Sequence, residues 1–160
     1  MALCKCALTI VPDFCLPFVV VCDASKEGLG AVLMQEQRPL AFESRRLRPA
    51  ERNYTTGEQE LLAVVHALRT WRRYLEAPEF TVITDHNPLV HLPQQPNLSG
   101  RQIRWSKHLQ IFNFKWLFQP GKSNPAPDAL SRNPPAKNIS AVAALLIIKI
   151  ILLRLSGNML

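Results

Sequence analysis

Two apolar segments of the chain each end in an aspartate, and paired carboxylates of this kind can bind metal ions. The segments are 18-FVVVCD-23 and 80-FTVITD-85. An ionised carboxylate is costly to bury alone, so Asp23 must either lie exposed at a strand end or be held by a partner such as a metal. If the two segments are neighbouring strands, Asp23 and Asp85 lie side by side at the edge where open α/β sheets bind ligands. A divalent cation would relieve their repulsion, and oxygen ligands favour Mg²⁺ or Mn²⁺ over zinc.

Two further acids are candidates for the same site. Apolar residues recur at three- and four-residue spacing over 55–76, which predicts an amphipathic helix. Glu60 shares the apolar face of that helix, so we expect it to point toward the sheet. Glu58 is explained without chemistry, because it can form a capping box with Thr55. Asp128 opens a short helical segment after a proline, where a carboxylate is as readily explained by the helix dipole as by metal binding.

The order of the predicted elements explains how these acids could converge. We predict strands over 17–24, 28–47 (two strands), 80–85 and 111–118, and helices over 55–76 and around 101–109, with a proline-rich loop before the second helix. Gly28 and Gly30 are expected in the first turn and the residues "EQRP" in the second. A strand, a helix and a further strand form a crossover unit, which favours parallel pairing of the flanking strands. The chain is therefore predicted to form an α/β domain.

Length, composition and charge indicate one globular domain with a basic surface. The chain has 160 residues, of which 48% are hydrophobic, and a formal net charge of +7. This charge indicates either a polyanionic partner or simply a solvated basic surface. The four cysteines lie near the N-terminus without the histidines of a zinc site, and no signal peptide is evident. We expect reduced thiols and a cytoplasmic or nuclear protein that is not secreted.

The last part of the sequence changes character. Residues 134–160 begin as a linker and continue as the apolar run 141-AVAALLIIKIILL-153, which is interrupted by Lys149. A membrane span needs about 20 apolar residues. We therefore expect a linker and an apolar tail of unknown role, without membrane insertion.

Six motifs, in order, resemble the ribonuclease H domain of reverse transcriptases from gypsy-type LTR retrotransposons. They are FVVVCDAS with GLGAVLMQ, AFESRRLRPAERNY, EQELLAVVHALRTWRRYL, FTVITDHNPL, RWSKHL and PGKSNPAPDALSR. The resemblance implies a ribonuclease H-like α/β fold over 17–133, with a five-stranded mixed sheet flanked by helices. Residues 1–16 would be a remnant of the polymerase connection.

The same resemblance implies an activity and a set of site residues. The activity is endonucleolytic cleavage of the RNA strand of RNA/DNA hybrids with two Mg²⁺ ions, which Mn²⁺ can replace. Matched motif by motif, the catalytic and metal-binding residues are Asp23, Glu60, Asp85 and Asp128. No polymerase motif is found in this sequence, so polymerase activity is not expected of it. A polymerase domain supplied by another chain is an expected partner.

Basic residues are candidates for binding the hybrid. These are Arg45, Arg46, Arg101, Arg104, Lys107 and Lys122. Aromatic residues are interleaved with some of them, but the alternation of Phe112, Phe114 and Trp116 fits ordinary strand packing better. The alternative function is a catalytically silent nucleic-acid-binding or relic domain of a retroelement. Silent copies generally lose the acids, so the complete set favours the enzyme.

Overall fold

The structure is a computed structural model that describes residues 11–120. Its elements are β1 (Phe18–Ala24), β2 (Gly28–Gln35), β3 (Arg38–Arg46), α1 (Thr56–Thr70), α2 (Arg72–Leu75), β4 (Phe80–Thr84), α3 (Asn87–Val90), α4 (Gly100–Leu109) and β5 (Phe114–Phe118), with 3₁₀ turns at Glu51–Asn53 and Leu92–Gln94. Lys122, Asp128 and the segment 134–160 lie outside the described residues.

The five strands form one mixed sheet in the order β3-β2-β1-β4-β5. The pairs β1–β2 and β2–β3 are antiparallel, whereas β4 runs parallel to both β1 and β5. In the parallel register Val20 lies beside Val82 and Val21 beside Ile83. The mixed five-stranded sheet is thus confirmed. Because β1 and β4 are parallel, their carboxyl ends lie side by side, and the residues at these ends are close to one another.

Helix α1 packs its apolar face on the sheet. Its inward stripe is almost fully buried, and Leu61, Val64 and Leu68 are each 0% exposed. Burying a side chain of this size stabilises the fold by roughly 1.5–3 kcal/mol. The predicted capping box is present, since Thr55 Oγ1 accepts from the Glu58 N–H at 3.3 Å and the Thr55 N–H donates to the Glu58 carboxylate at 3.1 Å.

The predicted helix over 55–76 is not continuous. At Trp71 the backbone turns to φ −104° and ψ 20°, so that α1 ends there and the four-residue α2 begins. Trp71 is only 5% exposed and belongs to the same buried cluster as Leu75. Both side chains are thus buried, as the apolar spacing over 55–76 predicts, whereas the break at Trp71 was not predicted.

The first hairpin turn differs from the prediction. Gly28 and Gly30 lie inside β2, and Gly30 pairs with Asp23. A serine closes the turn instead: Ser25 Oγ accepts from the Glu27 N–H at 3.3 Å and from the Gly28 N–H at 3.1 Å. A side-chain hydroxyl can replace a backbone acceptor in this way. The second turn is where it was expected, with Glu36 and Gln37 at positive φ, as two-residue hairpins require.

The proline-rich loop is more ordered than predicted. It forms the short helix α3 and a 3₁₀ turn, which bury Leu89 and Leu92 against the core. On β5 the aromatic rings of Phe114 and Trp116 are partly buried, and Phe114 stacks on Phe80 with centroids 5.5 Å apart. Packing thus explains these two aromatics. Within residues 11–120 no helix is both long and apolar enough to span a membrane.

Candidate metal centre

The structure brings three of the four predicted acids together. Asp23 is the penultimate residue of β1, Asp85 directly follows β4, and Glu60 lies near the start of α1. One carboxylate oxygen from each of the three lies within 4.8 Å of the other two. We call these three residues the acidic cluster. Asp128 falls outside the described residues.

Local folding explains why the acidic cluster forms. Parallel pairing of β1 and β4 places Asp23 and Asp85 at the same edge of the sheet. Helix α1 crosses β1 and β2, and the residues around Glu60 are buried against them. Asp23 is 3% exposed and Glu60 5%, while Asp85 is half-buried. The acidic cluster is therefore buried on the side of Asp23 and Glu60 and open to solvent on the side of Asp85.

The negative charge of the acidic cluster affects the neighbouring Cys22 thiol. Asp23 Oδ1 accepts a hydrogen bond from the Ala24 N–H at 3.0 Å. Burial raises the pKa of the Cys22 thiol well above its ordinary value, and the negative charges of Glu60 and Asp23 raise it further. Like charges held this close repel one another, and a bound cation relieves that repulsion.

The donor set fits a hard divalent cation. All three side chains offer carboxylate oxygens, the ligand type preferred by Mg²⁺ and Mn²⁺. Magnesium typically keeps several water molecules and uses only a few carboxylates. An enclosed cluster with one solvent-facing member matches that requirement.

His86 lies at the rim of this site. Its backbone N–H donates to Thr84 Oγ1 at 3.1 Å. Its Nε2 faces the start of α1, where a Cβ added to Gly57 would lie 3.4 Å from it. Burial lowers the pKa of His86, and the charge of Asp85 opposes this. The imidazole therefore fills the space between Asp85 and the first turn of α1.

Two of the predicted nucleic-acid-binding arginines have partners within the domain. Arg45 donates two hydrogen bonds to the Glu51 carboxylate, at 2.7 and 3.1 Å. Arg101 donates to Glu58 Oε1 at 2.9 Å, and its guanidinium carbon lies 3.7 Å from the centre of the Tyr54 ring. Both guanidinium groups thus support the fold directly.

The other predicted cations within the described part of the chain are more accessible. Arg46 lies at the end of β3, and Arg104 and Lys107 lie one turn apart on α4. All three are exposed, and none forms an ion pair with another residue in 11–120. Lys122 lies beyond that range.

Sequence reasoning missed a second role of Glu58. Besides its part in the capping box of α1, the Glu58 carboxylate accepts a hydrogen bond from Ser99 Oγ at 2.8 Å and one from Arg101 at 2.9 Å. Burial alone would raise the pKa of Glu58, but hydrogen bonds from Ser99, Thr55 and Arg101 hold it below its ordinary value. The sequence contains one related signal, a second capping box formed by Ser99 and by Gln102 three residues later, which marks the start of α4 but not its contact with Glu58.

Fold and site together define a class of protein. The mixed five-stranded sheet is the one that the motif resemblance implied, and three of the four implied acids lie together where β1 and β4 end. The family model described as "RNase H-like domain found in reverse transcriptase" matches residues 13–112. The chain belongs to this family of reverse-transcriptase RNase H-like domains, which confirms the resemblance seen in the motifs.

Similar proteins include retrotransposon polyproteins. The chain is 43% identical over 122 residues to the Pol polyprotein from transposon gypsy of Drosophila melanogaster, covering 76% of this chain and 12% of that protein. It is 40% identical over 141 residues to the Pol polyprotein from transposon opus of the same species, covering 85% and 14%. The chain thus spans only a small part of the curated relatives it matches.

Solved structures share the fold at low identity. The foamy viral protease-reverse transcriptase in complex with RNA/DNA hybrid has a TM-score of 0.54 and 22% identity, covering 77% of this chain and 18% of that chain. The N-terminal RNase H domain of a Mycobacterium tuberculosis protein, solved as a fusion with maltose-binding protein, has a TM-score of 0.60 and 13% identity, covering 89% and 97%. These likenesses confirm the RNase H fold.

Proposed function

We propose that the chain is a metal-dependent endonuclease that hydrolyses the RNA strand of RNA/DNA hybrids, as the RNase H part of a retrotransposon reverse transcriptase. The observation that carries this proposal is the acidic cluster, in which three carboxylate oxygens lie within 4.8 Å of one another. Membership of the reverse-transcriptase family supports the substrate class. The Pol polyprotein relatives support a polymerase domain as partner. We also propose a cytoplasmic or nuclear location.

The proposed cofactor is a pair of Mg²⁺ ions, which Mn²⁺ can replace. Asp23, Glu60 and Asp85 would hold them, with Asp128 as the fourth ligand. Such ions, when bound, lower the pKa of a water molecule and neutralise charge that develops on the phosphate.

The path of the chain is compatible with Asp128 as a ligand. The Gln119 N–H donates to Thr84 O at 2.9 Å, so the chain leaves β5 at the same edge as the acidic cluster. Asp128 itself lies outside the described residues.

The residues of the chain have distinct proposed tasks. Asp23 and Glu60 are buried and form the fixed part of the site, while the half-buried Asp85 faces the side from which a scissile phosphate would enter. Exposed cations bind the sugar-phosphate backbone, since each phosphate contact contributes sequence-independent affinity. We assign this task to Arg46, Arg104, Lys107 and Lys122, whereas Arg45 and Arg101 would have to leave their carboxylate partners to do so.

The test is cleavage of a labelled RNA/DNA hybrid by the full 160-residue chain with Mg²⁺. The variant Asp23→Asn should lose more than about 100-fold in rate, because even a residue that only supports a metal ligand typically contributes 10–100-fold. Its binding to the hybrid should persist. Asp13→Asn is the matched control, since Asp13 is exposed and its hydrogen bond from the Cys15 N–H at 2.9 Å can also be accepted by an asparagine.

Two other results would contradict the proposal. A folded parent that binds the hybrid but does not cleave it with Mg²⁺ or Mn²⁺ is a catalytically silent nucleic-acid-binding domain. A parent that neither binds nor cleaves is a relic.

A further inference from the structure

One carboxylate joins the beginnings of two helices. Glu58 is the third residue of α1, and one of its oxygens accepts from the Thr55 N–H at 3.1 Å. Its other oxygen accepts from Ser99 Oγ at 2.8 Å and from Arg101 at 2.9 Å. Ser99 is the N-cap residue of α4, and Arg101 lies in its first turn. We call Thr55, Glu58, Ser99 and Arg101 the Glu58 junction.

The carboxylate at the centre of the Glu58 junction is buried, whereas Thr55 and Ser99 are exposed. The side chain of Glu58 is 9% exposed and that of Arg101 35%. The Arg101 guanidinium lies over the ring of Tyr54, which in turn packs on Trp105 of α4 with centroids 6.0 Å apart. A charge-assisted hydrogen bond in such surroundings is stronger than one in water and holds its partners in a defined geometry.

The junction fixes how α1 lies against α4. At the other end of the two helices, Arg69 Nε donates to His108 Nε2 at 3.2 Å. Contacts between the two starts and between the two ends mean that the helices run side by side in the same direction. The exposed contact at the far end involves long side chains, whereas the Glu58 contacts are part-buried. Of these polar contacts between the two helices, those at the start of α1 are therefore the less exposed to solvent.

Glu60 lies in the part of α1 that this junction holds. It follows Glu58 by two residues, which is about 3 Å along the helix axis. The first turn of a helix lacks intrahelical acceptors for its N–H groups and frays unless it is capped. Glu60 is the fifth residue of α1 and directly follows that first turn. A displacement of the first turn that carries into the next one therefore changes the distance from Glu60 to Asp23 and Asp85, which lie with it inside 4.8 Å.

We propose that Glu58 is a positioning residue that holds the first turn of α1 through Ser99 and Arg101, so that Glu60 is correctly placed for metal binding. The inference rests on the proposed function, because it assigns Glu60 to the metal centre. It also gives Arg101 a supporting task within the domain. Glu58 itself touches neither substrate nor metal in this assignment.

The test measures Mn²⁺ binding to the full chain by calorimetry without nucleic acid. Glu58→Ala is expected to weaken Mn²⁺ binding by about 10-fold or more, as residues that orient metal ligands typically do. Glu58→Gln keeps one acceptor and should fall between Ala and the parent. The matched control is Glu76→Gln, which removes the same charge from an exposed pair with Arg72 and should bind Mn²⁺ like the parent.

A second readout separates positioning from chemistry. The Mg²⁺ concentration for half-maximal hybrid cleavage should rise in Glu58→Ala, while kcat at saturating Mg²⁺ should largely recover. If Glu58→Ala does not fold, Arg101→Gln cuts the same contact from the α4 side and should weaken Mn²⁺ binding in the same direction.

The outcomes distinguish this inference from the proposed function. A folded Glu58→Ala or Arg101→Gln protein with the Mn²⁺ affinity of the parent overturns the positioning role and leaves the metal centre intact. A folded parent that binds no Mn²⁺ overturns both.

Discussion

Replacing Asp23 by asparagine should stabilise the metal-free protein, although it removes a proposed catalytic residue. One oxygen of the Asp23 carboxylate lies within 4.8 Å of oxygens of Glu60 and Asp85. Two unit charges at that distance repel by roughly 3–4 kcal/mol at an effective dielectric constant of about 20. Solvent near the half-buried Asp85 screens this repulsion, so we expect a gain of about 1–2 kcal/mol. Asparagine can still accept the hydrogen bond from the Ala24 N–H.

Magnesium should reverse the order of stability. At a Mg²⁺ concentration one hundred times its dissociation constant, binding stabilises the folded parent by about 2.7 kcal/mol, which exceeds the advantage of about 1–2 kcal/mol expected for the metal-free variant. The Asp23→Asn protein should gain much less, because it has lost a ligand.

The assay is urea unfolding of both full-length proteins, in EDTA and in Mg²⁺, followed by tryptophan fluorescence. Asp13→Asn serves as the control and should match the parent in both buffers. A less stable Asp23→Asn protein in EDTA would refute the charge-repulsion argument. An equal gain from Mg²⁺ in parent and variant would refute the assignment of Asp23 as a ligand.

Three further predictions concern the core, the pH dependence of stability and the hybrid-binding surface. Leu68→Ala should lower the free energy of unfolding in urea by about 2–5 kcal/mol, because the side chain is 0% exposed, and a loss below about 1 kcal/mol would contradict its core position. Burial alone would raise the pKa of Glu51, but hydrogen bonds from Arg45 and Arg48 hold this pKa below its ordinary value. A carboxylate with a lowered pKa in the folded state stabilises the protein at neutral pH, and this stabilisation is lost as the pH falls through that pKa. Glu51→Gln should therefore lower the free energy of unfolding by about 1 kcal/mol in urea titrations at neutral pH and by progressively less in acid. Arg104→Gln should weaken hybrid binding and reduce the slope of log affinity against log salt by about 1, and an unchanged slope would remove Arg104 from the binding surface.

The sequence was sufficient to predict the five strands and the two longer helices. Strands with an aspartate at or just after their last residues, a helix with an apolar stripe and a capping box at Thr55 are all local patterns, and the structure contains each of them. Parallel pairing of β1 and β4 followed from the crossover helix between them. Because two parallel strands end at the same edge, the meeting of Asp23 and Asp85 was already implied by that order.

Other features did not follow from the local patterns. The helix breaks at Trp71 although the apolar spacing continues through it, and Ser25 Oγ accepts backbone N–H groups in the turn where glycines were expected. Glu58 was assigned as a helix cap, but its contacts with Ser99 and Arg101 join residues more than 40 positions apart along the chain. Local periodicity shows which face of a helix is buried. It does not show which distant charge will lie opposite a given carboxylate, because that depends on how two helices pack side by side.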